Sequence, residues 1–98
     1  MAIRFEWDQE KSKQNLKKHG VSFEEAQTVF FDEDAIRFFD PDHSGHEDRF
    51  LMLGMSWRLR LLAVHYTIRE RGRQIRIISA RKATKHEQAE YYRSQTAE

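Results

Sequence analysis

The chain has 98 residues, 34% of them charged, and a net charge of +1. That length fits one domain spanning 1–98 with a modest core under an ionic surface. It has no cysteine, no apolar secretory core in its charged start and no apolar run near the roughly 20 residues of a membrane helix. Disulfides, thiolate metal sites and a membrane partner are therefore excluded, and a cytoplasmic protein is expected.

Ile3 to Trp7 alternates apolar and charged residues, which predicts a short strand. Asp8 is placed to N-cap a helix reaching about His19, with Gly20 as its stop. Ser22 and Glu25 have capping-box spacing for a second helix, whose Phe23, Ala26, Val29 and Phe30 share one face. Ala35 to Asp40 reads as a strand, followed by the polar turn PDHSGHED. Arg49 to Ser56 and Leu59 to Arg69 read as strands, and Arg71-Gly72 as a hairpin turn into a strand from Arg73 to Ala80. Thr84 and Glu87 form a second capping box, opening a helix through about Arg93. The order β-α-α-β-β-β-β-α predicts an α+β domain with helices on a small antiparallel sheet.

If Glu70 pairs with Arg73 across the last hairpin, Ile68 faces Ile75, Tyr66 faces Ile77 and Val64 faces Ser79. Leu62, Val64, Tyr66, Ile68, Ile75 and Ile77 then share the face the helices should cover. His65, Thr67, Arg69, Gln74 and Arg76 share the other. Arg81 lies beyond the apolar face, suited either to a phosphate or to an ion pair with Glu87. Residues 49–86 hold ten Lys/Arg against Glu70 alone, whereas residues 1–48 hold six cations and twelve acids. Such a block suggests a polyanion partner, or internal pairing with the acidic segments.

In the first helix, Ser12, Asn15, Leu16 and His19 are predicted to face inward, and only Leu16 is apolar. Such a face builds a site or satisfies buried polar groups. His19 lies in the last turn and is a candidate proton donor or a structural histidine. Lys17 and Lys18 are either a solvated face or phosphate contacts. His43 and His46, beside Asp42 and Glu47, are a weak metal signal, since four ligands at known spacing are missing. No metal or cofactor is expected. Among the aromatic residues, Trp57, at a turn, is the best base-stacking candidate. No P-loop or nucleophile elbow is visible.

Several stretches together resemble the BrnT toxins: KHGVSFEEAQTVF (Lys18 to Phe30), HEDR (His46 to Arg49), YTIR (Tyr66 to Arg69) and RIISARKA (Arg76 to Ala83), then Glu87 and Tyr91. The resemblance spans nearly the whole chain. It implies a RelE-like fold and a metal-independent endoribonuclease, the toxin of a type II toxin–antitoxin pair, that inhibits translation. It also implies a BrnA-type antitoxin with a ribbon-helix-helix DNA-binding part, through which alone operator DNA is reached. The alternative is a non-catalytic module whose basic face holds an acidic antitoxin segment. In the implied chemistry the ribose 2′-hydroxyl attacks the adjacent phosphate while the protein stabilises the added charge. Arg69, Arg76 and Arg81 are then the phosphate and transition-state binders, with His19 the acid–base group. Lys17, Lys18, Arg49, Arg60 and Lys82 are expected RNA contacts. His65 stands where the resemblance leads one to expect an aliphatic residue. Tyr66 is a possible substitute base, but the register points it into the core.

Overall fold

The computed structural model describes residues 2–45 and 47–96. Strand β1 (Arg4–Glu6) leads into helix α1 (Gln9–His19), then helix α2 (Phe23–Ala26), continued by a 3₁₀ segment through Phe31. Strands β2 (Ile36–Asp40), β3 (Arg49–Met55), β4 (Leu61–Arg69) and β5 (Gln74–Lys82) follow, and helix α3 (Lys85–Thr96) ends the described chain. They form an α+β architecture with one five-stranded sheet in the order β1-β5-β4-β3-β2. The sheet is not wholly antiparallel, because β1 lies parallel to β5, with Glu6 beside Arg76.

The caps explain the helix boundaries. Asp8 accepts from the backbone N–H groups of Glu10 and Lys11, and Gly20 closes α1 at φ 73°, a left-handed conformation that favours glycine. Ser22 caps α2 by accepting from the Glu25 N–H at 3.0 Å, but the box is only half made. The Glu25 carboxylate turns instead to Arg60 and to Ser56, whose hydroxyl donates to it at 2.7 Å. The box opening α3 is complete: the Glu87 N–H donates to Thr84 Oγ1 and the Thr84 N–H donates to the Glu87 carboxylate.

Phe23, Ala26 and Val29 are fully buried, as the helix pattern predicts, against Leu62, Val64, Tyr66, Ile75, Ile77 and Ala80. The other helix takes a different side. Tyr91 of α3 packs on Leu53 and Ala63, with Leu51, Met55 and Leu61 around them. Cross-strand pairing puts Leu53 and Ala63 on the face opposite Tyr66. Helices thus cover one face except at β2, where Phe39 stays 53% exposed, and only one end of the other, because β3 supplies an apolar patch only at that end.

The hairpin register holds from Arg69↔Gln74 to Tyr66↔Ile77 and then shifts. His65 faces Ser79 and Val64 faces Ala80, so the expected Val64↔Ser79 pair does not form. Ile78 is the extra residue of a β-bulge, and β5 runs on through Lys82 rather than stopping at Ala80. Every side chain beyond the bulge has changed face relative to an unbroken strand.

Where β1 ends, α1 takes over the outer edge of β5. The Asn15 amide donates to the carbonyls of Val21 (2.7 Å) and Ala80 (2.8 Å) and accepts from the Ala80 N–H (3.2 Å). It does there what a neighbouring strand would do, closing an edge otherwise left with unpaired groups. Ser12 is also buried, accepting from the Phe23 N–H, so half of the predicted inward face is real. Leu16 is 52% exposed and His19 is exposed, because the polar contacts with Val21 and β5 set the rotation of α1, not its one leucine. Asn15→Ala orphans three backbone groups and is expected to cost about 2–4 kcal/mol, read from urea denaturation. A loss below about 1 kcal/mol means that water replaces the amide.

Candidate nucleic-acid interface

The uncovered end of the sheet carries one row with a residue from every strand. Glu6, Arg76, Thr67, Arg49 and Asp40 are successive cross-strand neighbours. The next row is Ser79, His65, Leu51 and Phe38, and the one after it places Arg81 beside Ala63 under α3. Arg69 completes the set at the hairpin end, opposite Gln74. Arg49, Arg69, Arg76 and Arg81 therefore converge on one face, from three strands.

Carboxylates already engage most of these cations. Arg69 forks onto Glu47 at 2.6 and 3.0 Å and also reaches Glu6 at 3.2 Å, which Arg76 shares at 3.3 Å. Arg81 forks onto Glu87 at 2.7 and 2.9 Å, the ion pair that the sequence offered as the alternative to a phosphate. Arg49 pairs with no carboxylate among the described residues. Asp40 instead meets His43 at 3.0 Å. The Arg69 fork is the main cause that holds the exposed Glu47 carboxyl below its ordinary value.

Between these groups lies a cavity of about 170 Å³ lined by Asp40, His43, Arg49, His65 and Ser79. His65 is half-buried, with Nδ1 3.3 Å from Ser79 Oγ. Burial, and then the Arg81 charge, push its pKa below the ordinary 6.5, so its neutral form prevails near neutral pH. Ser79 also lines a second groove, of about 270 Å³, with Lys11, Gln14, Asn15, Lys18, His19 and Ile78. The two hollows meet at Ser79, one on the sheet face and one at its β5 edge.

The expected site residues divide accordingly. Arg49, Arg69, Arg76 and Arg81 share the open face, and Lys18 and His19 line the adjoining groove. Lys17 is exposed on α1 and lines neither hollow. Arg60 is bound to the Glu25 carboxylate and to the Gly20 carbonyl, on the helical side. Lys82 is exposed in a groove at the far end, with Leu59, Arg60 and Tyr92. Trp57 is 70% exposed, but it follows Met55 at the end of β3 away from Arg49. Tyr66 is 1% exposed in the core. His46 lies outside the described residues. Among the described residues, no three His, Asp or Glu side chains form a group suited to a metal ion.

Sequence reasoning missed Ser79 and the central position of His65. The signal was present: the consecutive Ile77 and Ile78 break the alternation and mark the bulge.

A small α+β domain with an arginine-rich open face describes a class of RNA-directed proteins more readily than a small-molecule enzyme. The profile of a family described as the ribonuclease toxin BrnT of type II toxin–antitoxin systems matches residues 7–87, and the chain belongs to that family. The crystal structure of the Brucella abortus ribonuclease toxin BrnT has a similar fold, with a TM-score of 0.65 and 22% identity, covering 86% of this chain and 100% of that one. No curated protein matches the sequence significantly. No helix among the described residues is long and apolar enough to cross a membrane.

The Glu87 carboxyl is held at about 2 rather than 4.5, first by the hydrogen bond from Arg81, then by the Thr84 cap and the Arg81 charge, all against burial. A depressed carboxyl contributes stability that is present above its unfolded value and lost as pH falls through its folded one. Glu87→Gln should therefore be less stable at neutral pH by about 1.5–3 kcal/mol. In urea titrations at stepped pH, that deficit should close as pH falls from 4.5 toward about 2.

Proposed function

We propose that the protein is an endoribonuclease toxin that cleaves RNA without a metal ion and thereby inhibits translation. The observation that carries this reading is that Arg49, Arg69, Arg76 and Arg81 share one open face, on which Arg49 lines a cavity with His65 and Ser79. The ribose 2′-hydroxyl attacks the adjacent phosphate, and the arginines stabilise the charge that gathers on its oxygens. His19, on the far side of Ser79, is the candidate donor to the departing 5′-oxygen.

Magnitudes indicate which arginines an RNA phosphate can recruit. The Arg69–Glu47 pair is 38% and 43% exposed, and such solvent-screened pairs contribute little to stability. A phosphate replaces Glu47 at little cost. The Arg81–Glu87 pair is less exposed, at 33% and 16%, and it also anchors a helix cap. Arg81 therefore acts from its fixed place as a charge, while Arg49 and Arg69 reach the substrate directly.

In this reading the partner is a BrnA-type antitoxin with a ribbon-helix-helix part. It neutralises the toxin by binding it, and its ribbon-helix-helix part carries the complex to operator DNA. The site of action is the cytoplasm. A second reading draws on the carboxylates already engaging three of the four arginines: a module without catalysis, whose basic face only holds the antitoxin.

Purified protein is expected to cleave RNA in EDTA, with Arg76→Ala and Arg81→Ala each slower by about 10²–10³-fold. Wild-type rates in both variants would remove these residues from the site. Expression alone should arrest growth, relieved by Arg69→Ala or His19→Ala. A harmless wild type favours the binding module.

A further inference from the structure

We infer that His65 is the general base of this site, the group that takes the proton from the attacking ribose 2′-hydroxyl. The inference rests on the endoribonuclease reading above and names a residue that reading leaves without a role.

Three features single out His65. It stands in the middle row of the open face, between Arg49, Arg76 and Arg81 on the neighbouring strands. It borders the cavity of about 170 Å³ into which a phosphate held by Arg49 would fit. Its Nδ1 has a partner in Ser79 Oγ, which fixes the ring plane. With Nδ1–H donated to that hydroxyl, the Nε2 lone pair is left as the acceptor.

The charged surroundings suit a base. The groups facing His65 are Arg81 from β5, Arg49 from β3, Asp40 from β2, His43 from the turn after it and Glu87 from α3. Burial and Arg81 outweigh Asp40 and Glu87, so the ring is neutral near neutral pH. Two other histidines border the same hollows, His43 and His19, and they fit less well. His43 is 67% exposed and its Nδ1 is tied to Asp40. His19 lies in the groove beyond the β5 edge.

The step balances without a co-reactant. The 2′-hydroxyl proton moves to His65 Nε2 as the O2′–P bond forms. The P–O5′ bond breaks, and the 5′-oxygen takes a proton from His19 or water. The products are a 2′,3′-cyclic phosphate and a 5′-hydroxyl, and His65 returns its proton to solvent.

Single-turnover cleavage of an RNA oligonucleotide in EDTA, followed across pH, tests this with the intact protein. Fluorescence anisotropy with the same oligonucleotide bearing 2′-deoxyribose gives Kd separately. His65→Gln and His65→Leu are compared with wild type, and circular dichroism reports their fold. Either variant, provided it folds, should lose about 10²–10⁴-fold in rate with Kd within a few-fold of wild type. The wild-type rate should fall on acidification with a midpoint below 6.5, and that limb should vanish in the variants. His65→Leu puts an apolar side chain of similar size at this half-buried position and is the variant read should His65→Gln not fold.

Cleavage by the His65 variants at the wild-type rate with the limb intact overturns the inference and leaves the nuclease reading standing. A loss confined to Kd also overturns it. A wild type that cleaves nothing overturns both.

Discussion

One inserted residue sets the chemistry of the open face. Without the bulge at Ile78, strict alternation from Ile75 and Ile77 would point Ser79 and Arg81 into the helical core. A guanidinium there would need a partner or cost several kcal/mol. With the bulge, Ala80 fills the core position, and Ser79 and Arg81 join Arg76 and His65 outside. The bulge is held from both sides. On β4 the ladder resumes at His65↔Ser79, and at the outer edge Asn15 grips the Ala80 backbone.

The face is balanced rather than simply basic. Glu6, Glu47 and Glu87 set three carboxylates against four guanidinium groups, with Asp40 facing His43. This is the internal pairing that the sequence offered as the alternative to a polyanion partner. Pairing keeps the arginine cluster from destabilising the sheet by self-repulsion when nothing is bound. The weakness of its most exposed pair lets a polyanion compete for it. Affinity for a nucleic acid should therefore depend steeply on salt.

Much of the fold was legible because its signals are local. Asp8, Gly20, Ser22, Thr84 and Glu87 mark helix ends through short-range hydrogen bonds, and those ends are found within a residue or two. The division of β4 into an apolar face (Leu62, Val64, Tyr66, Ile68) and a polar one (His65, Thr67, Arg69) follows from period-two alternation and holds from His65 onward, while Leu61 and Ala63 on the second face lie under α3. What failed was not local. The parallel pairing of β1 with β5 joins residues some seventy positions apart. The rotation of α1 is set by the Val21 and Ala80 backbone, so Leu16 and His19 turned outward against their pattern. The site was half legible for the same reason. Arg69 and Arg76 lie in the regular hairpin, where alternation predicts their face, whereas Arg81 and Ser79 lie beyond the bulge.

The position of α3 bears on how open the site can be. Tyr91 donates to Asp32 at 2.5 Å, and the Met55 N–H donates to the same carboxylate oxygen at 2.8 Å. These bonds fix the helix over Leu53 and Ala63, and the Arg81–Glu87 fork secures its start. The helix therefore walls one end of the face without crossing it. The opposite wall is the turn after β2, where His43 and Glu47 lie and where Ser44 makes two ties. The Ser44 hydroxyl donates to the Asp40 carbonyl and accepts from the Arg49 N–H. One wall is thus fastened through a buried tyrosine and a forked ion pair, the other through Ser44, the His43–Asp40 contact and the exposed Glu47–Arg69 pair. Any widening needed to admit a ribose–phosphate chain should come from the side of His43 and Glu47, where releasing Glu47 from Arg69 also exposes a guanidinium.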